Sequence, residues 1–576
     1  MKKNIYLIIF LILFCFCIET EGATTILRNV NLVNPGAKKS LVLNQDVVIT
    51  NGLIEKITKV SKKDYPTGTE IIDCTDKFLI PGLWDTHIHF FQSGGLYTRP
   101  DIIDLQHRVP YDSNQASVKR NMTDLFTRYL ACGITNIVDC GGPDWNSEVA
   151  DMSRNSSKAP NVYFSGPLIT SWKPTVYERA QPPFVLATNV KDAIKEVNRQ
   201  LQYKPNMIKV WYIVGTKTKA EDYFPVLKAI CDTAHKAGLP VWVHASELET
   251  AKYAIKAGTD VLVHLPKDKI VDDEFLKLAK DSNVSIIPTI WVFESYTAVF
   301  SKQLDLMEVE LKLGNTDEIS SLYDMFDISP NELSDKIKKR MVPEDKTVST
   351  DPIILENMKK VQAYGINVAT GTDAGNIGVI HGPSLFHEFA LMKKAGLTDE
   401  EILKDATVGA SKLFKNTNAG SIEAGKKADL VILNKNPLDD IQNTQDIYRV
   451  IQRGSIINPD TLIKTDKYEC VKKQLNAYND RNIDAFLDCY SNDVEIYEFP
   501  NKLINKGKEE LKEVYIDFFK RAGKKLHCKI EDRLIYGNYV FDKETLTSGI
   551  PGREQFSGQA IYEVKDNKIN KVWFIK

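Results

Sequence analysis

The sequence predicts an α/β protein: a closed (β/α)8 barrel, a β layer drawn from both ends of the barrel region, and a separate C-terminal α+β domain. Three observations predict it. Short apolar runs alternate with helical stretches through the middle of the chain, as parallel strands with crossover helices do. Short alternating runs with turn signals bracket that region on both sides. Near Thr465 the pattern changes to two amphipathic helices and several long alternating strands. A chain of 576 residues has room for roughly two to four domains.

Residues 1–23 form a unit of their own. Lys2 and Lys3 precede an apolar run from Ile5 to Ile18, then Glu19, Thr20, Glu21, Gly22 and Ala23. A basic start, a short apolar stretch and a small-residue exit read as a cleaved secretory signal. The run is short for a membrane span. Cleavage is expected near Gly22 or Ala23, and the product is expected to be exported, periplasmic or extracellular. Cys15 and Cys17 follow Phe rather than a small residue, which argues against lipid attachment.

Residues 24–80 carry short strand patterns, with Asn51-Gly52 as a hairpin turn between two of them. Residues 421–460 carry the same pattern in Asp429–Leu433 and Tyr448–Ile451. Residues 81–420 are the expected barrel. Its candidate strands are 79–90, 133–140, 161–169, 206–212, 240–246, 261–266, 285–292 and 367–374. A polar, strand-poor stretch at about 296–360 is expected to be a helical insertion that covers the site. Residues 466–576 are the α+β domain, with apolar helical faces at Val471, Leu475, Tyr478 and at Leu511, Tyr515, Phe518.

Composition is that of a globular protein, 43% apolar and 26% charged. A net charge of −2 gives no reason to expect nucleic acid or an acidic membrane as partner. Seven cysteines beyond the signal are scattered and lack metal-type spacing, so a disulfide framework is not expected.

Barrel enzymes place their chemistry at the carboxyl ends of strands. His87 and His89 end the first candidate strand, and residues i and i+2 point the same way. His244 ends the fifth, His264 the sixth and Asp373 the eighth. Singly, each could be a buried His bonded to a carbonyl or an Asp capping a helix. Together they converge on one axis, as metal ligands do. Lys209 ends the fourth strand inside an apolar run, where a charged amine is costly. It is either a lysine reaching for the rim or a lysine carbamylated by carbon dioxide into an anion able to bridge two metal ions. His381, after the eighth strand, and Tyr212, just beyond Lys209, are candidates for substrate contact. His107, His235 and His527 have no such company.

Asp85-Thr86-His87-Ile88-His89, Ile208-Lys209-Val210, His244, Ala257 through His264, Gly371-Thr372-Asp373-Ala374-Gly375, His381 through Glu388 and Gly420 through Leu430 together resemble the metal-dependent amidohydrolase superfamily over residues 24–460. The resemblance is to its imidazolonepropionase-like and Xaa-Pro dipeptidase-like branch. It implies a TIM barrel with a composite β-sandwich from 24–80 and 421–460. It also implies His87, His89 and Asp373 on a buried metal, and His244 and His264 on a more exposed one, with carbamylated Lys209 between them. Zinc is the default ion, and a one-metal variant would use His87, His89, His244 and Asp373. Such ions lower the pKa of water and polarise a carbonyl, with Asp373 moving the proton. The tail resembles the SnoaL-like, steroid-isomerase-like cone fold, and its expected role is self-association into a homo-oligomer.

The function expected is C–N bond hydrolysis in a small molecule, either a cyclic or non-standard amide or an Xaa-Pro-like dipeptide. The same machinery could hydrolyse a lactone or ester. A third reading is a binding protein whose cone domain sets specificity.

Overall fold

The computed structural model describes residues 24–60, 69–214, 219–415, 418–464 and 466–575. The expected export signal lies outside them. Leu83–Ile88 pairs in parallel with Ile134–Asp139, which pairs with Asn161–Phe164. The chain continues as Leu168–Thr170, which pairs with Ile208–Trp211; Val241–His244, Val261–Val263 and Ser285–Ile287 follow, each parallel to the last. The ring closes through the stretch before Gly375. Val368 bridges Ile286 and Ala374 bridges Ile88. Thr86 N donates to Thr370 O (2.9 Å) and Asp373 N to His87 O (2.7 Å).

This closing segment is extended but is not the regular strand expected over 367–374. Asp373 has φ 62° and Gly375 φ 104°, which interrupts the ladder. The segment also passes very close to the first strand: a Cβ on Gly371 would lie 2.9 Å from His87 Cβ. The strand expected over 285–292 stops at Ile287, and helix Ile290–Phe300 follows left-handed Thr289.

Both ends of the barrel region join one eight-stranded sheet. The seam is Phe78–Pro81 against Leu430–Leu433, antiparallel. Leu27, Val30, Val47, Leu79, Leu430 and Ile432 form its apolar core, each worth about 1.5–3 kcal/mol of burial. Asn51 and Gly52 both have positive φ, as a hairpin turn matched to strand twist requires.

The insertion is helical: Glu308–Leu313, Thr316–Tyr323 and Asp335–Lys338 follow Ile290–Phe300. The C-terminal domain is a six-stranded sheet with helices Glu469–Asp480, Ile483–Asp488 and Lys508–Ala522. It docks on the insertion. Asp480 accepts from Tyr323 Oη (2.9 Å) and Leu306 N (3.3 Å), and Phe326 stacks on His527 (4.6 Å). Among the described residues no helix is long and apolar enough to cross a membrane. The seven described cysteines are buried free thiols.

Candidate metal centre

Strand alternation puts Asp85, His87 and His89 on the inner face of the first strand. Asp85 is not aimed at the centre. It accepts from Thr372 N (3.0 Å) and Thr372 Oγ1 (2.7 Å), tying the first strand to the closing segment. That tie brings Asp373 over His87 and His89. His87 Nε2 and His89 Nε2 lie 3.3 Å apart, and Asp373 Oδ1 lies 3.5 Å from the first and 3.4 Å from the second. His264 Nε2 is 4.0 Å from Asp373 Oδ2, and the His244 ring stands 4.4 Å from the His264 ring, centroid to centroid. His264 (φ 75°), Thr289 (φ 46°) and Asp373 (φ 62°) all adopt left-handed backbone, strain that gathers where geometry is imposed.

Two of the imidazoles, those of His89 and His264, are held in orientation from behind. His89 Nδ1 donates to Gly141 O (2.8 Å), which leaves Nε2 as a lone pair facing inward. Gly141 N in turn donates to Asp139 (3.2 Å), whose other oxygen accepts from Asn146 (2.6 Å). His264 Nδ1 meets Thr289 Oγ1 at 2.5 Å. Burial, then the Lys209 charge, pushes His89 down to about 3 and His87 and His244 well below the ordinary value. Burial, then His244, does the same to His264. The rings are therefore neutral, and their contacts with Asp373 are not ion pairs. Burial pushes Asp373 up to about 6, opposed by Lys209.

These atoms fit a cation. Four ligands at about 2.1 Å from a tetrahedral ion stand about 3.4 Å apart. The separations among His87, His89 and Asp373 are 3.3, 3.4 and 3.5 Å. His87, His264 and Asp373 make a second, overlapping trio with ligand atoms within 4.8 Å of one another. Asp373 Oδ1, His87 Nδ1 and Lys209 Nζ are buried without a hydrogen-bond partner, and such orphans suit a site that holds an ion.

Lys209, 1% exposed, shares the cavity with the histidines, and burial lowers its pKa. The cavity is about 780 Å³ and is roofed by the insertion through Tyr296, Lys336, Arg340 and Thr350. Two expected substrate contacts are corrected. Tyr212 turns away and donates to Ala220 O, because Lys209 and Trp211 take the inner face and Tyr212 does not. His381 lies behind the first strand, between Tyr129 Oη and Gln92 O (both 2.8 Å), and does not line the cavity.

Sequence reasoning missed three cations of the cavity lining, which also carries Glu247, Glu294 and Asp351. Lys267, Lys336 and Arg340 line the cavity and form no ion pair with another described residue. Arg99 is also there, but Asp101 holds it at 2.7 Å. Lys267, at the end of His264-Leu265-Pro266-Lys267, was the only one close enough in sequence to a ligand to be noticed.

Comparison with known proteins bears on this geometry. Ochratoxinase of Aspergillus niger is 23% identical over 399 residues, 64% of this chain and 72% of that protein. Enamidase of Eubacterium barkeri is 25% identical over 257 residues, 42% of this chain and 56% of that protein. A crystal structure of a Xaa-Pro dipeptidase with bound methionine superposes with TM-score 0.58 at 22% identity, covering 76% of this chain and 100% of the other. That likeness to a solved structure shows the fold. A SnoaL-like domain model matches residues 471–572. The amidohydrolase family model matches residues 78–457, well over half of the sequence, and the chain belongs to the amidohydrolase family.

Proposed function

We propose that this protein is an exported, metal-dependent hydrolase that splits the C–N bond of a small amide, an Xaa-Pro-like dipeptide or a cyclic amide. The observation that carries this reading is the trio of His87 Nε2, His89 Nε2 and Asp373 Oδ1, spaced as ligands of one cation. In this reading His87, His89 and Asp373 would hold one ion. His244 and His264 would hold a second, with Lys209, once carbamylated, as a further ligand beside them. Zinc is the ion of choice for His-rich hydrolytic sites. Bound there, such ions would supply a water of lowered pKa and polarisation of the substrate carbonyl. Asp373 is the carboxylate placed to take the proton from water and deliver it to the leaving nitrogen. Thr372, Asp85 and Gly371 fix where that carboxylate stands.

The similarity to an ochratoxinase, an enamidase and a Xaa-Pro dipeptidase supports C–N chemistry. Lys267, Lys336 and Arg340 support a substrate with a free carboxylate, since cavity cations that form no ion pair with a described residue favour an anion. Export rests on the sequence of residues 1–23.

The test is metal analysis of purified protein with a hydrolysis screen of Xaa-Pro dipeptides, N-acyl amino acids, cyclic amides and lactones. Two ions per chain and fastest turnover of an amide are expected. Fastest turnover of lactones would replace the amide reading.

A further inference from the structure

The cone domain encloses a cavity of its own, about 500 Å³, remote in sequence from the barrel ligands. Its wall is built by strand alternation. In Tyr539–Thr547 the residues Val540, Asp542 and Glu544 are buried on one face, and in Gln555–Lys565 Ala560, Tyr562 and Val564 are. Helix Glu469–Asp480 brings Gln474, Leu475 and Tyr478 over that face, and helix Lys508–Ala522 brings Tyr515. Gly558 sits on the same inner face, and a Cβ placed there would meet nothing within 4 Å. The sequence thus leaves a hole where a side chain would fit.

The lining is unusual in its polar groups. Four tyrosines, Tyr478, Tyr490, Tyr515 and Tyr562, surround the space. Tyr478, Tyr490 and Tyr562 are 7%, 3% and 5% exposed. None of the four hydroxyls forms a hydrogen bond to another described side chain. Glu544, 7% exposed, is the carboxyl among them. Cys528 Sγ donates to its Oε2 (2.9 Å). The nearby guanidinium of Arg533 is already taken, bidentate, by Asp542 (both contacts 2.6 Å). Glu498 belongs to the rim and pairs with Lys502 (3.2 Å). The one basic residue among the described lining, Arg553, is exposed. Glu544 is thus a buried acid among four tyrosines that forms no ion pair with a described residue.

We propose that this cavity is a second ligand site, for an amphipathic organic amine whose ammonium pairs with Glu544 inside the tyrosine cage. A buried carboxylate is costly alone and is offset by a desolvated cation. Tyrosine faces attract cations, most strongly away from water. The apolar body of the ligand lies against Leu475, Leu546, Phe556 and Phe574, and the volume suits a small aromatic amine. Burial raises the Glu544 carboxyl, and the incoming charge restores its ionised form. This site is independent of the barrel chemistry.

The test is calorimetric titration of the full chain at pH 7.5 with tryptamine, tryptophol and indole-3-acetate, which share one ring and differ in head group. Tryptamine is expected to bind one per chain, tryptophol at least tenfold more weakly, and indole-3-acetate more weakly still. Glu544→Gln is expected to lower tryptamine affinity at least tenfold while the melting temperature holds. Gly558→Leu, which fills the hole, is expected to abolish binding, and it carries the test should Glu544→Gln fail to fold. No amine binding by the native chain would overturn the proposal. So would tryptophol or indole-3-acetate matching tryptamine, or amine affinity that neither substitution changes.

Discussion

Asp373→Asn separates catalysis from stability at one position. The carboxamide keeps an acceptor oxygen beside His87 and His89 but can no longer take a proton from water. Loss of a positioned acid–base group costs ~10²–10⁴ in rate. A fall of about 10³ in kcat, about 4 kcal/mol of barrel chemistry, is therefore expected. The metal-free protein responds in the opposite sense. Burial raises Asp373 from 3.8 to about 6 in the fold. A carboxyl raised on folding contributes stability that is full below its unfolded pKa and is lost as pH climbs through the folded one. At pH 7.5 the ionised group thus costs the metal-free fold about 3 kcal/mol, at ~1.36 kcal/mol per pKa unit. The asparagine variant, stripped with chelator, is expected to melt above the stripped wild type at pH 7.5 and level with it at pH 4. The assays are steady-state turnover, metal content and thermal melts of stripped protein at both pH values. Near-normal turnover in a metal-loaded variant would refute the proton-transfer role. A stripped variant less stable than wild type at pH 7.5 would refute the electrostatic reading of the site.

Three further outcomes follow from the same geometry. Lys209→Gln removes the amine that carbon dioxide would modify, so metal content is expected to fall from two ions per chain to one; two retained ions would remove the bridging role. Lys267→Met is expected to raise KM at least tenfold for an N-acyl amino acid while leaving the matching N-acyl amide, which lacks the carboxylate, unchanged; equal effects would show that Lys267 merely packs on Phe293, which it overlies at 4.4 Å. Asp480, pushed up to about 7 by burial between the insertion and the cone domain, contributes stability fully present below pH 3.8 and lost as pH rises through 7. Asp480→Asn, which keeps an acceptor for Tyr323, is therefore expected to flatten the decline in melting temperature between pH 5 and 8; an unchanged slope would place that decline elsewhere.

The legible part of the site was the part written in short-range patterns. His87 and His89 announce themselves because alternation over two residues fixes a common direction, and Lys209 because an amine in Met207-Ile208-Lys209-Val210 has no cheap exit. The same parity rule, followed one residue further, turns Tyr212 out of the cavity and Trp211 in. His381 is misleading for a different reason: it follows the closing segment in sequence, but the loop folds it back under Gln92. The closing segment itself resists prediction because its course depends on Gly371 passing against His87, a contact between residues far apart in the chain. Lys336 and Arg340 are illegible altogether, since nothing in a polar helical insertion marks which charges will face a cavity. The cone domain's helices and strands were readable from periodicity, but the hole at Gly558 exists only once two strands and two helices meet.

The most direct experiment is a crystal structure of protein purified without chelator, with anomalous scattering maps calculated at the zinc edge. An anomalous peak about 2.1 Å from His87 Nε2, His89 Nε2 and an Asp373 oxygen is expected, with a second beside His244 and His264 and added density on Lys209 Nζ. A folded protein whose His87, His89 and Asp373 enclose no ion, even after soaking in millimolar zinc, would contradict it.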